Sequence, residues 1–242
     1  MRKAHLALIG SAFLVFALAR PCNAMDWNAF DDPKDATYFI NAYGKSISVL
    51  SAPEKAAAIK RLKQSLKSRE VEIRRRAALT LGEVGETSGV PTMIDDLSKA
   101  TGRDRGNVVV ALRVLKDKRA IPALRMALKD ESAYVRGIAV LTLGELKATE
   151  AYDEIVSLTK DKGDKPGDKN AGGLDCVIMP PACGACYALG ALGDERAIPI
   201  LIEVLTDNEL QWCAQQALEA LTKQKFGHAP DKWKAWWKAQ KP

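Results

Sequence analysis

The stretch that decides the fold runs from Asp117 to Leu146 and reads DKRAIPALRMALKDESAYVRGIAVLTLGEL. Its apolar residues recur every three to four positions in two segments, which is typical of amphipathic helices. Polar residues around Asp130 separate the two segments and suit a short turn. The stretch therefore predicts a helical hairpin in which two helices bury their apolar faces against each other.

Versions of this hairpin recur along the chain. Its second helix carries a marker pair that reads Leu-Gly in three copies, Leu-Arg in one and Leu-Glu in one. The successive spacings of these pairs are 31, 31, 46 and 29 residues. A period near 31 with two helices per unit predicts a solenoid, because each unit must stack on its neighbours to bury its apolar face. The five pairs are Leu81-Gly82, Leu112-Arg113, Leu143-Gly144, Leu189-Gly190 and Leu218-Glu219.

The residues that recur also point to a known family. The run Arg119-Ala-Ile-Pro-Ala-Leu124, followed by Asp130, Val135-Arg136 and Leu143-Gly144, resembles the HEAT-like repeat of the phycobilisome-lyase type. Residues 195–218 repeat this pattern, and residues 71–82 match its second half. The resemblance implies an all-α fold, an α-solenoid of about five hairpins over residues 54–222. It does not imply bilin-lyase activity, because a fold does not fix a function.

The first 24 residues have the layout of a secretory signal peptide. Arg2 and Lys3 form a basic start, residues 4–19 are mostly apolar, and Cys22-Asn23-Ala24 supplies a cleavage site. An uncleaved anchor and a buried helix are the alternatives. No later stretch approaches the roughly 18 apolar residues of a membrane span. We therefore expect an exported, soluble bacterial protein of the periplasm or the medium.

The charge of the chain depends on that cleavage. The sequence holds 36 Lys and Arg against 30 Asp and Glu, a net charge of +6. Loss of Arg2, Lys3 and Arg20 leaves 33 against 30, a net charge of +3. A nucleic-acid-binding role needs a dense basic stripe, which this balance disfavours. We expect a monomer whose partner is a protein or peptide.

Three segments depart from the repeat. Residues 25–53 match no repeat and are predicted to cap the first hairpin, because terminal repeats need a cover. The 46-residue spacing places an inserted loop, rich in Gly, Asp and Lys, within residues 161–176. Residues 223–242 are predicted to form a C-terminal capping helix, with Trp233, Trp236 and Trp237 on one face. A platform that contacts sugars or a membrane is the alternative for these tryptophans.

Four cysteines remain after cleavage, namely Cys176, Cys183, Cys186 and Cys213. An even number in an oxidising compartment predicts two disulfides. Helix angles, with an assumed direction of stacking, favour a Cys186–Cys213 bond between repeats and a Cys176–Cys183 bond at the inserted loop. A redox-active CxxC at Cys183 and Cys186 and a four-cysteine zinc site are the alternatives.

Other polar residues give no catalytic constellation. Arg74, Arg105 and Arg136 lie one period apart. The resemblance to HEAT-like repeats implies that they bind acidic side chains and carbonyls of neighbouring turns. Anion binding is the alternative. His228 is the only histidine left after cleavage, and the chain has no glycine-rich phosphate loop and no GxSxG elbow. We therefore predict no catalytic residue, no metal site, no cofactor and no enzymatic activity.

The strongest functional candidate is a surface on the second helices. Several of their residues rotate away from the hairpin core, and contiguous apolar surface marks interaction sites. Aromatic anchors with an arginine at the rim also resemble an interface hot spot. Burial of Val110 and Leu141 by neighbouring helices is the alternative. The predicted partner-binding residues are Val109, Val110, Arg113, Val140, Leu141, Tyr187 and Trp212.

These features predict a non-catalytic protein-binding scaffold in the bacterial cell envelope, with the partner on the inner face of the solenoid. Two alternatives remain open. One is a thiol-disulfide redox protein that uses Cys183 and Cys186. The other is an accessory to cofactor attachment, which rests on the family resemblance alone.

Overall fold

The computed structural model describes Ile47, residues 50–163 and residues 180–240. All regular secondary structure within these residues is helical, as the sequence predicts. None of the described helices is both long and apolar enough to span a bilayer. The predicted signal peptide at 1–24, nearly all of the segment 25–53 and most of the insert 161–176 lie outside the described residues.

The described residues form five helical hairpins and a final helix, joined by short turns. Single 3₁₀ turns at Lys118–Ala120 and Thr149–Ala151 lead into the third and fourth hairpins, and another at Leu158–Lys160 follows the first helix of the fourth hairpin. The first three hairpins pair α1 (Ala52–Ser65) with α2 (Val71–Glu83), α3 (Val90–Lys99) with α4 (Arg103–Leu115), and α5 (Ile121–Ala127) with α6 (Ala133–Glu145). The last two pair α7 (Tyr152–Ser157) with α8 (Pro181–Leu192), and α9 (Ala197–Val204) with α10 (Gln211–Thr222). The final helix is α11 (Pro230–Gln240).

Local sequence signals explain where several helices begin and end. Ser51 and Glu54 form a capping box at the start of α1, where Glu54 accepts a hydrogen bond from the Ser51 N–H at 3.1 Å. Proline stands in the first turn of α1, α3, α5 and α8, where its missing N–H costs no helical hydrogen bond. Gly193 ends α8 with a left-handed φ of 79°, which glycine adopts without strain.

Each hairpin buries the same repeat positions. The leucine of every marker pair is fully buried, from Leu81 in α2 to Leu218 in α10. The small residues four positions earlier, such as Ala139 and Ala185, are also fully buried. Together these positions form the buried face of each second helix, as the periodicity predicts.

The second helices α2, α4, α6, α8 and α10 also pack on one another in order and form a continuous layer. The glycine of the marker pair permits this close approach. A Cβ atom on Gly144 would lie 2.5 Å from the Cα of Ala188, and one on Gly190 would lie 2.9 Å from the Cα of Ala217. Such distances leave no room for a side chain. The stacked layer confirms the predicted α-solenoid.

We expect Gly144→Ala to lower the free energy of unfolding by about 2 kcal/mol. Alanine favours a helix over glycine by about 0.5–1 kcal/mol, but the overlap with the Ala188 backbone outweighs this gain. Urea unfolding followed by circular dichroism measures the change. Gly82→Ala is the matched control for a milder contact of the same kind, because its Cβ would meet a Val114 methyl at 3.1 Å and the backbone of Val114 and Leu115 at 3.3 Å, and we expect a smaller loss there. Equal losses in both variants would contradict the proposed helix contact.

Candidate functional site

One position of the second helices points away from the hairpin core in every repeat. It lies three residues before the marker glycine, so at 3.6 residues per turn it faces opposite the buried leucine and alanine positions. Side chains there are half-buried, and those of Leu79, Val110 and Tyr187 pack against the core. Four successive second helices carry an apolar residue at this position. We call the four the inner row, which consists of Leu79, Val110, Leu141 and Tyr187.

Two of the predicted surface residues do not reach the surface. Val109 and Val140 are fully buried, so the prediction that they line an accessible face is wrong. They stand one residue before the inner row, which turns their side chains by about 100° into the contact between successive second helices. A Cβ built on Gly184 of α8 would lie 2.9 Å from a methyl of Val140. The sequence prediction also missed Leu79, although Leu79 lies one period before Val110.

Arg113 occupies the position that holds glycine in three other repeats. Its guanidinium binds the carboxylate of Glu145 on the next second helix, with Nε 3.0 Å and 3.1 Å from the two oxygens. The hydrogen bonds that Arg113 donates to this carboxylate raise the pKa of Arg113, and the charge of Glu145 adds to the effect. Both side chains remain about two-fifths exposed. Beside the inner row, Arg113 and Glu145 thus form a neutral bridge between α4 and α6.

Trp212 is exposed but does not belong to the inner row. The row position on α10 is held by Gln216, and Trp212 lies one turn earlier. The indole of Trp212 is 58% exposed and meets the His228 ring edge-on at a centroid distance of 6.1 Å. On earlier second helices this position faces the next second helix. Among the described residues no second helix follows α10, so Trp212 marks the open end of the layer.

The cysteines pair differently from the prediction. Cys183 of α8 is bonded to Cys213 of α10, with their Cα atoms 5.4 Å apart, a normal separation for a disulfide. Cys186 is a buried free thiol. The predicted Cys186–Cys213 and Cys176–Cys183 bonds are therefore wrong, and Cys176 lies outside the described residues. The prediction failed because the helix angles were taken to turn Cys183 away from the core, whereas Cys183 faces α10.

This arrangement bears on the redox and metal alternatives. Cys183 and Cys186 share no disulfide, because Cys183 is committed to another helix. Burial raises the pKa of Cys186 to about 12, and the thiolate is the reactive form of cysteine. At neutral pH Cys186 is thus a poor nucleophile. Over residues 50–163 and 180–240, no group of three or more His, Cys, Asp or Glu side chains is arranged to hold a metal ion.

The predicted contacts of Arg74, Arg105 and Arg136, which we call the arginine ladder, are confirmed. In α6, Arg136 binds the carboxylate of Asp161 at 2.6 Å and 3.1 Å and donates to the backbone carbonyls of Asp130 and Glu131 at 2.8 Å and 2.9 Å. Arg74 makes the equivalent set with one carboxylate and two carbonyls, and Arg105 binds two carboxylates. These arginines join each second helix to the first helix of the next hairpin or to the turn beside it, which is a structural role.

Solved structures with the same fold support this architecture. The complex of CpcE and CpcF of phycocyanin lyase from Nostoc sp. aligns with a TM-score of 0.55 and 26% identity, covering 69% of this chain and 65% of that chain. YibA of E. coli aligns with a TM-score of 0.56 and 16% identity, covering 81% and 66%. An engineered protein aligns with a TM-score of 0.53 and 18% identity, covering 83% and 93%. The chain thus spans slightly less than two thirds of the first two proteins.

Family comparisons agree with the stacked hairpins. The HEAT repeats family matches residues 90–167, and the PBS lyase HEAT-like repeat matches residues 183–207. No curated protein matches the chain by sequence. The first match covers the second and third hairpins and α7, and the second covers most of α8 and all of α9. Together with the repeat period and the glycine-mediated stacking, these matches show HEAT-like repeats within residues 90–167 and 183–207 of the chain.

Proposed function

We propose that this protein is a non-catalytic scaffold of the bacterial cell envelope that binds a protein or peptide along the inner row. The observation that carries the proposal is the inner row itself, with one half-buried apolar side chain on each of four successive second helices. Packed helices lie about 8–10 Å apart, so the row extends over about 25–30 Å. That length suits an amphipathic helix or an extended peptide.

The surroundings of the inner row favour apolar contact over charge pairing. The Arg113–Glu145 bridge is neutral and already internally paired. Charges at the rim of an interface mainly change the association rate and its salt dependence. We therefore expect a partner that buries apolar side chains and whose affinity depends weakly on salt.

The structural relatives support a protein partner. The phycocyanin lyase structure, 26% identical over the aligned region, is itself a complex of two proteins, CpcE and CpcF. Stacked helical repeats generally offer extended surfaces for binding. The signal-peptide pattern of residues 1–24 and the Cys183–Cys213 disulfide both favour export to an oxidising compartment. A periplasmic or secreted location is part of the proposal.

A second candidate function is an accessory role in cofactor attachment. It is favoured by the PBS lyase HEAT-like match over residues 183–207 and by the phycocyanin lyase relative. The two functions differ in one readout, because a cofactor accessory should retain a chromophore or its precursor. Absorption spectra of the protein purified from its source distinguish them.

The inner row is tested by Leu141→Asp, which places a charge at its centre. We expect at least a tenfold weaker affinity for the partner, because burying an unpaired carboxylate is costly. The partner is identified by cross-linking in the source periplasm and purified, and its dissociation constant is measured by calorimetry. Circular dichroism verifies that the variant is folded.

Met126→Asp is the matched control for this experiment. Met126 is 78% exposed on α5, which belongs to the first helices and lies outside the inner row. The same apolar-to-acidic change should leave partner binding intact there. An unchanged affinity in Leu141→Asp, or an equal loss in both variants, would contradict binding along the inner row.

A further inference from the structure

Three cysteines lie at the interface between α8 and α10. Cys183 and Cys186 are three residues apart on α8, so they project from the same side of the helix. Cys183 is bonded to Cys213 of α10. All three side chains are buried, and Cys186 is the most deeply buried of them at 0% exposure.

The preceding interface indicates how close Cys186 lies to this disulfide. The same glycine-to-alanine contact joins α6 to α8 and α8 to α10, so the two interfaces share one register. In the first interface Gly184 stands at the position of Cys213. A Cβ on Gly184 would lie 2.9 Å from a methyl of Val140 and 3.4 Å from the carbonyl oxygen of Gly137. On α6, Val140 holds the position that Cys186 holds on α8, and Gly137 holds the position of Cys183.

By this register, the side chain at the Cys213 position lies against the side chain at the Cys186 position, while Cys213 is already bonded to Cys183. We propose that Cys186 is a second bonding partner of Cys213, and that the disulfide moves between Cys183–Cys213 and Cys186–Cys213 by exchange within the folded protein. The interhelix link is kept in both forms. What changes is which of the two α8 cysteines is the thiol.

The exchange is balanced without an external oxidant. The Cys186 thiolate attacks the sulfur of Cys213 and forms the new S–S bond, and the bond from Cys213 to Cys183 breaks. The electron pair leaves on the sulfur of Cys183, which takes up the proton that Cys186 has lost. One disulfide and one thiol are present before and after the step.

The surroundings of Cys183 and Cys186 set the rate of the thiol–disulfide exchange. Because burial raises the pKa of Cys186 to about 12, few molecules carry the attacking thiolate at neutral pH, and the exchange is slow. Cys183 is the third residue of α8, where the helix N-terminus stabilises a departing thiolate. The exchange therefore places the thiol on the more reactive of the two cysteines, in the turn after the exposed Pro180.

Substitution of Cys183 tests whether Cys186 can take its place. The full chain is prepared with Cys22→Ser and Cys176→Ser, which removes the two cysteines outside the described residues, and Cys183→Ser is added. After equilibration in a glutathione buffer, non-reducing peptide mapping should find a Cys186–Cys213 bond. Cys186→Ser in the same background is the control and should keep the Cys183–Cys213 bond. A folded Cys183→Ser variant with two thiols, under conditions that oxidise the control, overturns the proposal.

A second measurement uses the chain with all its cysteines except Cys22 and Cys176, so it does not depend on the folding of a Cys183 variant. The protein is held at pH 7 or pH 9, quenched with acid, alkylated and mapped. Alkylation at Cys183 should appear about 100-fold faster at pH 9, since thiolate rises tenfold per pH unit below its pKa. Circular dichroism verifies the fold at both pH values. Label confined to Cys186 at every time point would refute the exchange.

Discussion

Arg136→Ala should lower the free energy of unfolding by about 3 kcal/mol, because it removes the guanidinium that donates to a largely buried carboxylate and two carbonyls. The guanidinium of Arg136 is only 15% exposed, and its partner Asp161 is 19% exposed. Water therefore replaces the lost hydrogen bonds poorly. Urea unfolding at pH 7, followed by circular dichroism, measures the loss. Arg136→Lys should recover little, since an ammonium cannot reproduce the planar fork that reaches all four oxygens.

Arg113→Ala is the matched control for this prediction. Arg113 also links two second-helix neighbours through a carboxylate, but this pair is about two-fifths exposed. Exposed ion pairs typically contribute less than about 1 kcal/mol, so we expect a small loss. If the two alanine variants lost equal stability, the ladder arginines would have no special structural role.

The ion pair of Arg136 also predicts a dependence on pH. Burial alone raises the pKa of Asp161, but hydrogen bonds from Arg136 and the Gly163 N–H, with the Arg136 charge, lower it below its usual value. A lowered folded-state pKa stabilises the fold above the unfolded value of about 4, and this contribution is lost as pH falls further through the folded-state pKa. The stability gap between wild type and Arg136→Ala should therefore narrow in acid. A gap that stays constant down to pH 2 would contradict this assignment.

Much of the architecture follows from periodicity in the sequence. The marker pairs identify the buried leucine of every second helix, because a side chain that recurs at one repeat position meets the same neighbour in each unit. The glycine of the pair is explained by a contact between helices rather than by a turn, as Gly144 against Ala188 illustrates. The arginines at one-period spacing were likewise predictable, since their partners recur with them.

The direction of stacking could not be predicted. A helical period gives the angle of a side chain around its own axis, but it does not say which flank meets the next helix. One residue of offset turns a side chain by about 100°, which is enough to bury Val140 while Leu141 remains partly accessible. The same ambiguity led to the wrong disulfide. Cys183 faces α10 directly, and only the interhelix geometry identifies it as the partner of Cys213.

Trp233→Ala should lower the free energy of unfolding by about 4 kcal/mol, the typical loss for truncating a buried tryptophan. Trp233 is fully buried, its indole N–H donates to the carbonyl of Gly227 at 2.9 Å, and its ring meets Phe226 edge-on at 4.9 Å. Because α11 packs on α9, the truncation should undock α11 and expose the last hairpin. Repeats interact chiefly with their neighbours, so hydrogen exchange should accelerate in α9 and α10 before it does in α2 and α4.

Trp212→Ala separates this effect from the mere loss of an indole. Trp212 is 58% exposed and touches only the edge of His228 among the described rings, so its removal should cost less than about 1 kcal/mol. Hydrogen exchange in α9 should stay at the wild-type rate in this variant. Comparable destabilisation by the two substitutions, or uniform acceleration of exchange along the solenoid in Trp233→Ala, would mean that α11 does not act as a local cover for the last hairpin.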